Sequence, residues 1–312
     1  MATHIRSRHE RSLQPTAHST ASSSNSCTVA MKLELAVMSG AGNLFVVAST
    51  AALPPANAAR YSPQLCQAAR SLVGRDAEGV LLVEPRGGES LHVHFFNPDG
   101  TSGMMCGNGA RCAAAFAVRH GWSRTAAELA LAGERYRITI ADDGTIAVEF
   151  PPPRRIVEHA RLELDGTSLD YAYVDVGSDH VVIEEHVLSA YSEASTQAVD
   201  FAQLAPRVRA HSAFPHGANV NLYRAEHGVL HLVTYERGVE RITGACGTGA
   251  LATAVIAWLR NQCTSETITV IPPSGEQLTV TIHSEQRRIN KLTLSGPAQL
   301  LGTVAVELPH GT

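Results

Sequence analysis

CGNGARC at residues 106–112 and CGTGA at residues 246–250 decide how this chain is read. Each is a cysteine followed by glycine, a small polar residue, glycine and alanine. Each runs straight into an Ala-rich segment, GNGARCAAAFAVRHG from Gly107 and GTGALATAVIAWLRN from Gly247. Segments almost apolar all round predict helices buried on most sides. Both cysteines then stand at helix N-termini.

The flanking sequence repeats as well. HVHFF leads through NPDG to the first cysteine block, its helix, the hairpin YRITIADDGTIAVEF and Pro151–Pro153. LHLVTY leads through ERG to the second block, its helix and the hairpin LTVTIHSEQRRINKLTLSG. LELAVM, NLFVVAS, GVLLVEP, YAYVDVG and HVVIEEH add short strands between turn residues. The pattern predicts an α/β (α+β) fold of two pseudo-symmetric domains. Each is a mostly antiparallel, barrel-like sheet wrapped around a central helix. The expected domains are residues 31–150 and 151–299, with PPPRR as linker and about 300–312 returning to the first.

Composition narrows the function. The 312 residues are 44% hydrophobic and 17% charged, a globular balance. A net charge of −4 and a pI near 6.4 give no nucleic-acid footprint. No apolar run is long enough for a membrane helix. The six cysteines form no CxxC pair, which argues against a structural zinc site and a disulfide framework and for reduced thiols. Residues 1–30, rich in Ser and Thr with Glu10 as their one acid, read as a disordered extension ahead of Met31 in preference to a transit peptide.

A cysteine at a helix N-terminus feels the positive end of the macrodipole, which favours thiolate. The glycine-rich start offers N–H groups to a carboxylate. If the halves face each other, two thiols approach one carbon from opposite sides. One thiolate then removes an α-proton and the other thiol delivers one. This chemistry calls for no cofactor and no metal, and the only lysines, Lys32 and Lys291, suggest no Schiff base.

GAGNLFVV, NPDGTSGMMCGNGARC, FPHGANVNLY and YERGVERITGACGTGA, in that order, resemble the signature blocks of the diaminopimelate epimerase family. The resemblance runs from Met31 to the C-terminus. It implies a cytoplasmic, cofactor-independent homodimer acting on a small amino acid. The reaction implied is LL- to meso-diaminopimelate, for lysine and peptidoglycan synthesis. Matched by motif, Cys106 and Cys246 are the acid–base pair. The N–H groups of Gly107, Asn108, Gly247 and Thr248 hold the reacting carboxylate. Asn43, Asn97 and Asn219 bind substrate. Glu236 and Arg237 sit beside it, Glu236 also assisting a cysteine, and Arg237 suits a distal carboxylate. His180 assists the cysteines.

Two blocks depart from the family. GSDH stands where GNPH is usual, so Ser178 takes the place of a substrate-binding asparagine and Asp179 that of a proline. Leu44 stands where an acid is normal. Both changes bear on the substrate's distal end.

Other residues read plainly. Asn97 alone would pass as a turn former. His92 and His94 share a strand face without an evident third metal ligand, and read as a solvated face. Cys112, Cys66 and Cys263 read as buried thiols and Cys27 as disordered. Glu184, Glu185 and His186 read as a strand end at the surface. Arg111 either works near the cleft or pairs locally. Two functional alternatives remain: a racemase of another amino acid using the same cysteines, and a redox or metal-binding thiol protein.

Overall fold

The computed structural model describes residues 30–102, 107–195 and 199–309. Cys27, Cys106 and the expectations for residues 1–29 and 310–312 lie outside the described residues.

The first half runs β1 (Ala30–Gly40), β2 (Asn43–Ser49), α1 (Pro55–Ala68), α2 (Arg70–Val73), β3 (Val80–Pro85), β4 (Ser90–Phe96), α3 (Gly107–Arg119), β5 (Ala126–Leu131), β6 (Glu134–Ile140) and β7 (Ile146–Phe150). The second runs β8 (Arg155–Leu164), β9 (Thr167–Asp175), β10 (Asp179–Glu184), α4 (Glu185–Ala194), α5 (Phe201–Arg209), β11 (Asn219–Glu226), β12 (Val229–Glu236), β13 (Arg241–Ile242), α6 (Gly247–Leu259), β14 (Thr267–Ile271), β15 (Leu278–Glu285) and β16 (Arg288–Gly296). Strand β17 (Gln299–Pro309) pairs antiparallel with β1.

The strands form one open, mixed ladder: β17-β1-β2-β3-β4-β5-β6-β7-β16-β15-β14-β12-β11-β10-β9-β8. Its pairings read the same from either end about the β7–β16 junction. Each half is curved around a helix but does not close on itself. The parallel pairs are β2–β3, β4–β5, β10–β11 and β12–β14. A parallel pair needs a crossover, and each of these is bridged by helix. Helices α3 and α6 are the inner crossovers. Helices α1 and α2, and α4 and α5, are the outer ones.

The sequence reading placed only α3 and α6. The outer helices cover one face of the sheet, so only a thin apolar stripe marks them. In α1 the buried residues are Ala58, Ser62, Leu65 and Cys66, and Pro63 interrupts the pattern; α5 carries Pro206. Glu185 and His186, expected at a strand end, open α4 after β10 ends at Glu184. Strands β5 and β8 were likewise not anticipated.

The core has three parts. One cluster surrounds α3 and α6 together and runs between the halves. A second lies under α1 and a third under α4 and α5. Cys66, Cys112 and Cys263 are buried, as their sequence context suggested.

Candidate active site

Helices α3 and α6 meet at their glycine-rich N-termini. A Cβ placed on Gly247 would lie 3.7 Å from the Gly107 Cα and 2.8 Å from Leu294. A side chain at Gly247 would first have to displace the end of Leu294, and its Cβ would sit in contact with the other helix start. The Asn108 amide donates to the carbonyl of Ala245, immediately before the second cysteine, at 3.3 Å. Its Oδ1 accepts from the fully buried Arg111 at 2.7 Å. Arg111 also donates to the carbonyls of Gly107 and Pro297. It holds the first helix start in place instead of reaching a cleft.

Cys246 is the N-cap of α6. Its sulfur accepts from the Gly249 N–H at 3.4 Å and lies 3.6 Å from the Thr248 hydroxyl. The thiol is 7% exposed. The N–H contact favours negative charge on sulfur. Gly107 opens α3 against Gly247 from the other half.

Asn43 follows the tight turn Ala41–Gly42, where both residues have positive φ, 54° and 91°. Its side chain is buried beside Gly244, and among the described residues its Oδ1 has no hydrogen-bond partner. A buried acceptor left unpaired costs about 1–3 kcal/mol, so this atom is suited to a donor from a bound molecule.

Glu236 ends β12. Burial, with the charge of Glu78 adding to it, pushes its carboxyl up to about 7 against the pull of Thr243, Arg241 and Cys246. Thr243 donates to it, and the Cys246 thiol is within hydrogen-bonding reach. Glu78 comes from the opposite half. Burial raises its carboxyl too, opposed by Arg241 and Arg75. Two buried carboxyls from opposite halves, both raised chiefly by burial and both within the field of Arg241, therefore feel the same region. Glu78 was missed in the sequence because its chain position, just before β3, carries no local signature.

His180 is fully buried and held neutral, pushed down to about 3 chiefly by burial. The Asn221 amide donates to its Nδ1 at 3.0 Å and to the Val181 carbonyl at 2.9 Å. That leaves Nε2 as the protonated nitrogen, donating to the Ser178 hydroxyl at 2.9 Å. Asn221 Oδ1 accepts from Thr234 at 2.9 Å. Both lie directly under Gly249: a Cβ there would sit 2.5 Å from Asn221 Oδ1. His180 thus supports the α6 start through Asn221. The NVN spacing, which puts Asn219 and Asn221 on one strand face, was the available signal for Asn221.

Asn219 and Arg237 meet at the other end. Asn219 donates to the Asp179 carbonyl at 3.1 Å and accepts from the Arg237 backbone N–H at 3.0 Å. The Arg237 guanidinium donates to the Asp179 carboxylate at 3.1 Å and to the carbonyls of His216 and Gly217. Tyr173 donates to the same carboxylate. The acid that replaces the family's proline points at the arginine.

Asn97 uses its amide within its own turn, donating to Thr101 at 2.9 Å. A cavity of about 670 Å³ opens beside the site, lined by Gly42, Arg75, Thr243, Gly244 and Ser274 among others. It borders the neighbours of Asn43 and Cys246.

Solved structures share this fold. A Bacillus anthracis phenazine biosynthesis protein of the PhzF family superposes with a TM-score of 0.66 at 12% identity, over 88% of this chain and 99% of that one. A hydroxyproline epimerase from Agrobacterium vitis does so at 0.60 and 17%, over 89% and 93%. The family model for diaminopimelate epimerase matches residues 35–156 and 172–301. A diaminopimelate epimerase of Hydrogenobaculum sp. is 32% identical over 71% of this chain and 77% of its own length. Another from Coxiella burnetii is 29% identical over 86% and 96%. The chain belongs to the diaminopimelate epimerase family and is an isomerase.

Proposed function

We propose that the protein interconverts LL- and meso-2,6-diaminopimelate by proton transfer between two cysteines and the α-carbon, without a cofactor. The observation that carries this reading is the buried, unpaired Oδ1 of Asn43 beside a helix start capped by the Cys246 thiol. An α-ammonium satisfies that acceptor, and the α-carboxylate takes the N–H groups of Gly107, Asn108, Gly247 and Thr248. The thiolate of one cysteine, Cys106 or Cys246, takes the α-proton. The electron pair left on carbon delocalises into the carboxylate, where the helix N-termini stabilise it. The thiol of the other cysteine protonates the opposite face. Glu236, with its carboxyl near neutrality, is matched to exchange a proton with Cys246 between turnovers. His180, Asn219 and Ser178 position the second half of the site, and Asn97 and Arg237 complete the substrate contacts.

The same reading takes residues 31–150, with about 300–312, and 151–299 as two domains, supported by the ladder's symmetry about β7–β16. It places the enzyme as a homodimer in the reducing cytoplasm, serving lysine and peptidoglycan synthesis. Among the described residues no helix is long and apolar enough to cross a membrane.

One observation favours a second reading, a racemase of an amino acid with no distal carboxylate: Asp179 already neutralises Arg237. Proton NMR of LL-diaminopimelate with the reduced protein in heavy water tests the first reading. Loss of the α-proton signal with appearance of the meso isomer is expected. Exchange confined to a monocarboxylic amino acid transfers the site to the second reading. Absence of exchange in every amino acid refutes both.

A further inference from the structure

Strands β3 and β4 carry a cluster that the cysteine chemistry does not use. Val83, Leu91 and Val93 face the core around α3. Glu84, His92 and His94 take the opposite face, by strand alternation. Leu82 and Phe96 on that face are buried under α1, and the cluster lies beyond this cover. The sequence reading set aside His92 and His94 for want of a third ligand. The β3–β4 register supplies it by placing Glu84 directly opposite His92.

The atoms converge. His92 Nδ1 lies 3.7 Å and His94 Nε2 3.9 Å from the same oxygen of Glu84, and all three ligand atoms fall within 4.8 Å of one another. The imidazole rings lie 4.4 Å apart, centroid to centroid. The side chains are 29–37% exposed, so the solvated face expected from the sequence is partly sheltered here. Metal bonds of ~2.0–2.2 Å in a tetrahedral site hold donor atoms roughly 3.3–3.6 Å apart. Small side-chain rotations close the difference.

We propose that Glu84, His92 and His94 form a binding site for a divalent cation of the zinc class, with a fourth position open to water. Two imidazoles and one carboxylate form a donor set suited to zinc and cobalt(II), whereas calcium and magnesium prefer all-oxygen sites. Strand spacing i, i+2 pre-orients both rings, so little side-chain freedom is lost on binding. Arg86 is part of the device. Its guanidinium lies 2.9 Å from Glu84 Oε2 and 3.3 Å from His92 Nδ1, where it competes with the metal for the same lone pairs. Its side chain is 54% exposed and has room to swing into solvent. Strand β4 runs on into the Asn97 turn, so an ion here would brace the strand that leads to the first cysteine block.

The test is cobalt(II) titration of the full chain with its accessible thiols alkylated, so that Cys106 and Cys246 do not compete. Calorimetry should show one equivalent bound, with a d–d spectrum lacking thiolate charge-transfer bands. His92→Ala/His94→Ala should lose that equivalent, and Glu84→Gln should weaken it by more than about tenfold. Arg86→Gln should tighten it. In the unalkylated protein, substrate exchange by His92→Ala/His94→Ala should match wild type, which shows that the variant is folded and that the site is separate from catalysis. No binding by the alkylated wild type overturns the proposal, as does equal binding by the double variant.

Discussion

Asp179→Asn tests what the exchange of a proline for an acid does to the distal end of the site. Asp179 meets Arg237 at 3.1 Å, with 34% and 18% of the two side chains exposed. A substrate carboxylate approaching that guanidinium also approaches Asp179. At roughly 5 Å and an effective dielectric of 20, two unit charges repel by about 3 kcal/mol. Solvent access to Asp179 and salt reduce this to about 1–2 kcal/mol. Asparagine keeps the shape: its Oδ1 still accepts from Arg237, and its amide turns to the Tyr173 oxygen. The expected result is a rise of roughly tenfold in kcat/KM for LL-diaminopimelate, since about 1.4 kcal/mol is a factor of ten. A monocarboxylic amino acid should change little. The assay is α-hydrogen exchange into heavy water with each substrate, at low and high salt, and the gain should be larger at low salt. An equal fall for both substrates would mean that Asp179 mainly holds Arg237 in place, and the repulsion argument would be refuted.

The remaining expectations concern the chemistry and its support. Cys246→Ser and Cys106→Ser should each reduce epimerisation by about 10²-fold or more, with an unchanged circular dichroism spectrum; near-normal turnover in either rules out the two-thiol scheme. Glu236 has its carboxyl raised from 4.5 to about 7, so the folded protein retains a proton that the unfolded chain releases, and stability falls as pH rises across that window. His180 has the opposite sign: lowered from 6.5 to about 3, it lets stability rise with pH between those values. The two slopes oppose each other between about 4.5 and 6.5, so Glu236→Gln should leave a melting temperature that climbs more steeply with pH there; an unaltered profile contradicts the assignment. Gly249→Ala places a methyl 2.5 Å from Asn221 Oδ1 and 2.9 Å from Thr234 Oγ1, and overpacking of that kind costs about 1–3 kcal/mol. Denaturant titration should show the loss together with reduced exchange.

The inner helices were legible because they are sheathed on most sides and their sequences are largely apolar. The outer crossovers were not, since a helix lying on a sheet buries one stripe only, and in α1 that stripe includes Ser62 and Cys66. Strand β8 hid behind its charges, with most of RIVEHARLEL facing outward. At the site, the residues inside the quoted blocks could be named, but their partners could not. The charge of Glu78 bears on Glu236 across the two halves, which no local pattern announces. Thr243 lies inside a quoted block, but nothing there shows that its hydroxyl meets Glu236, and Asp179 was read as a departure with no way to tell which way it pointed. Arg111 illustrates the limit of a helix position: one place on α3 serves a cleft or a helix start equally well until the neighbours of Asn108 are known.

The ladder that is symmetric about β7–β16 also makes the order of the chain cyclic. At one end, β8 and β9 are joined by the tight turn Asp165–Gly166, with Leu164 facing Thr167. At the other end, β17 and β1 take the equivalent places, with Pro309 facing Ala30 but no covalent turn between them. Following β8 through β16 into β17, and then stepping across to β1 and on to β7, traverses the same motif twice and returns to β8. The fold is therefore a ring of two arcs with the same ladder pairings, cut at one of its two equivalent hairpins. The second arc adds the short strand β13, and the two arcs carry different side chains to the shared centre, Asn43 and Glu78 on one and His180 and Glu236 on the other. That difference in side chains lets one end of the shared centre do chemistry while the other only holds, on ladder pairings that are the same in both halves.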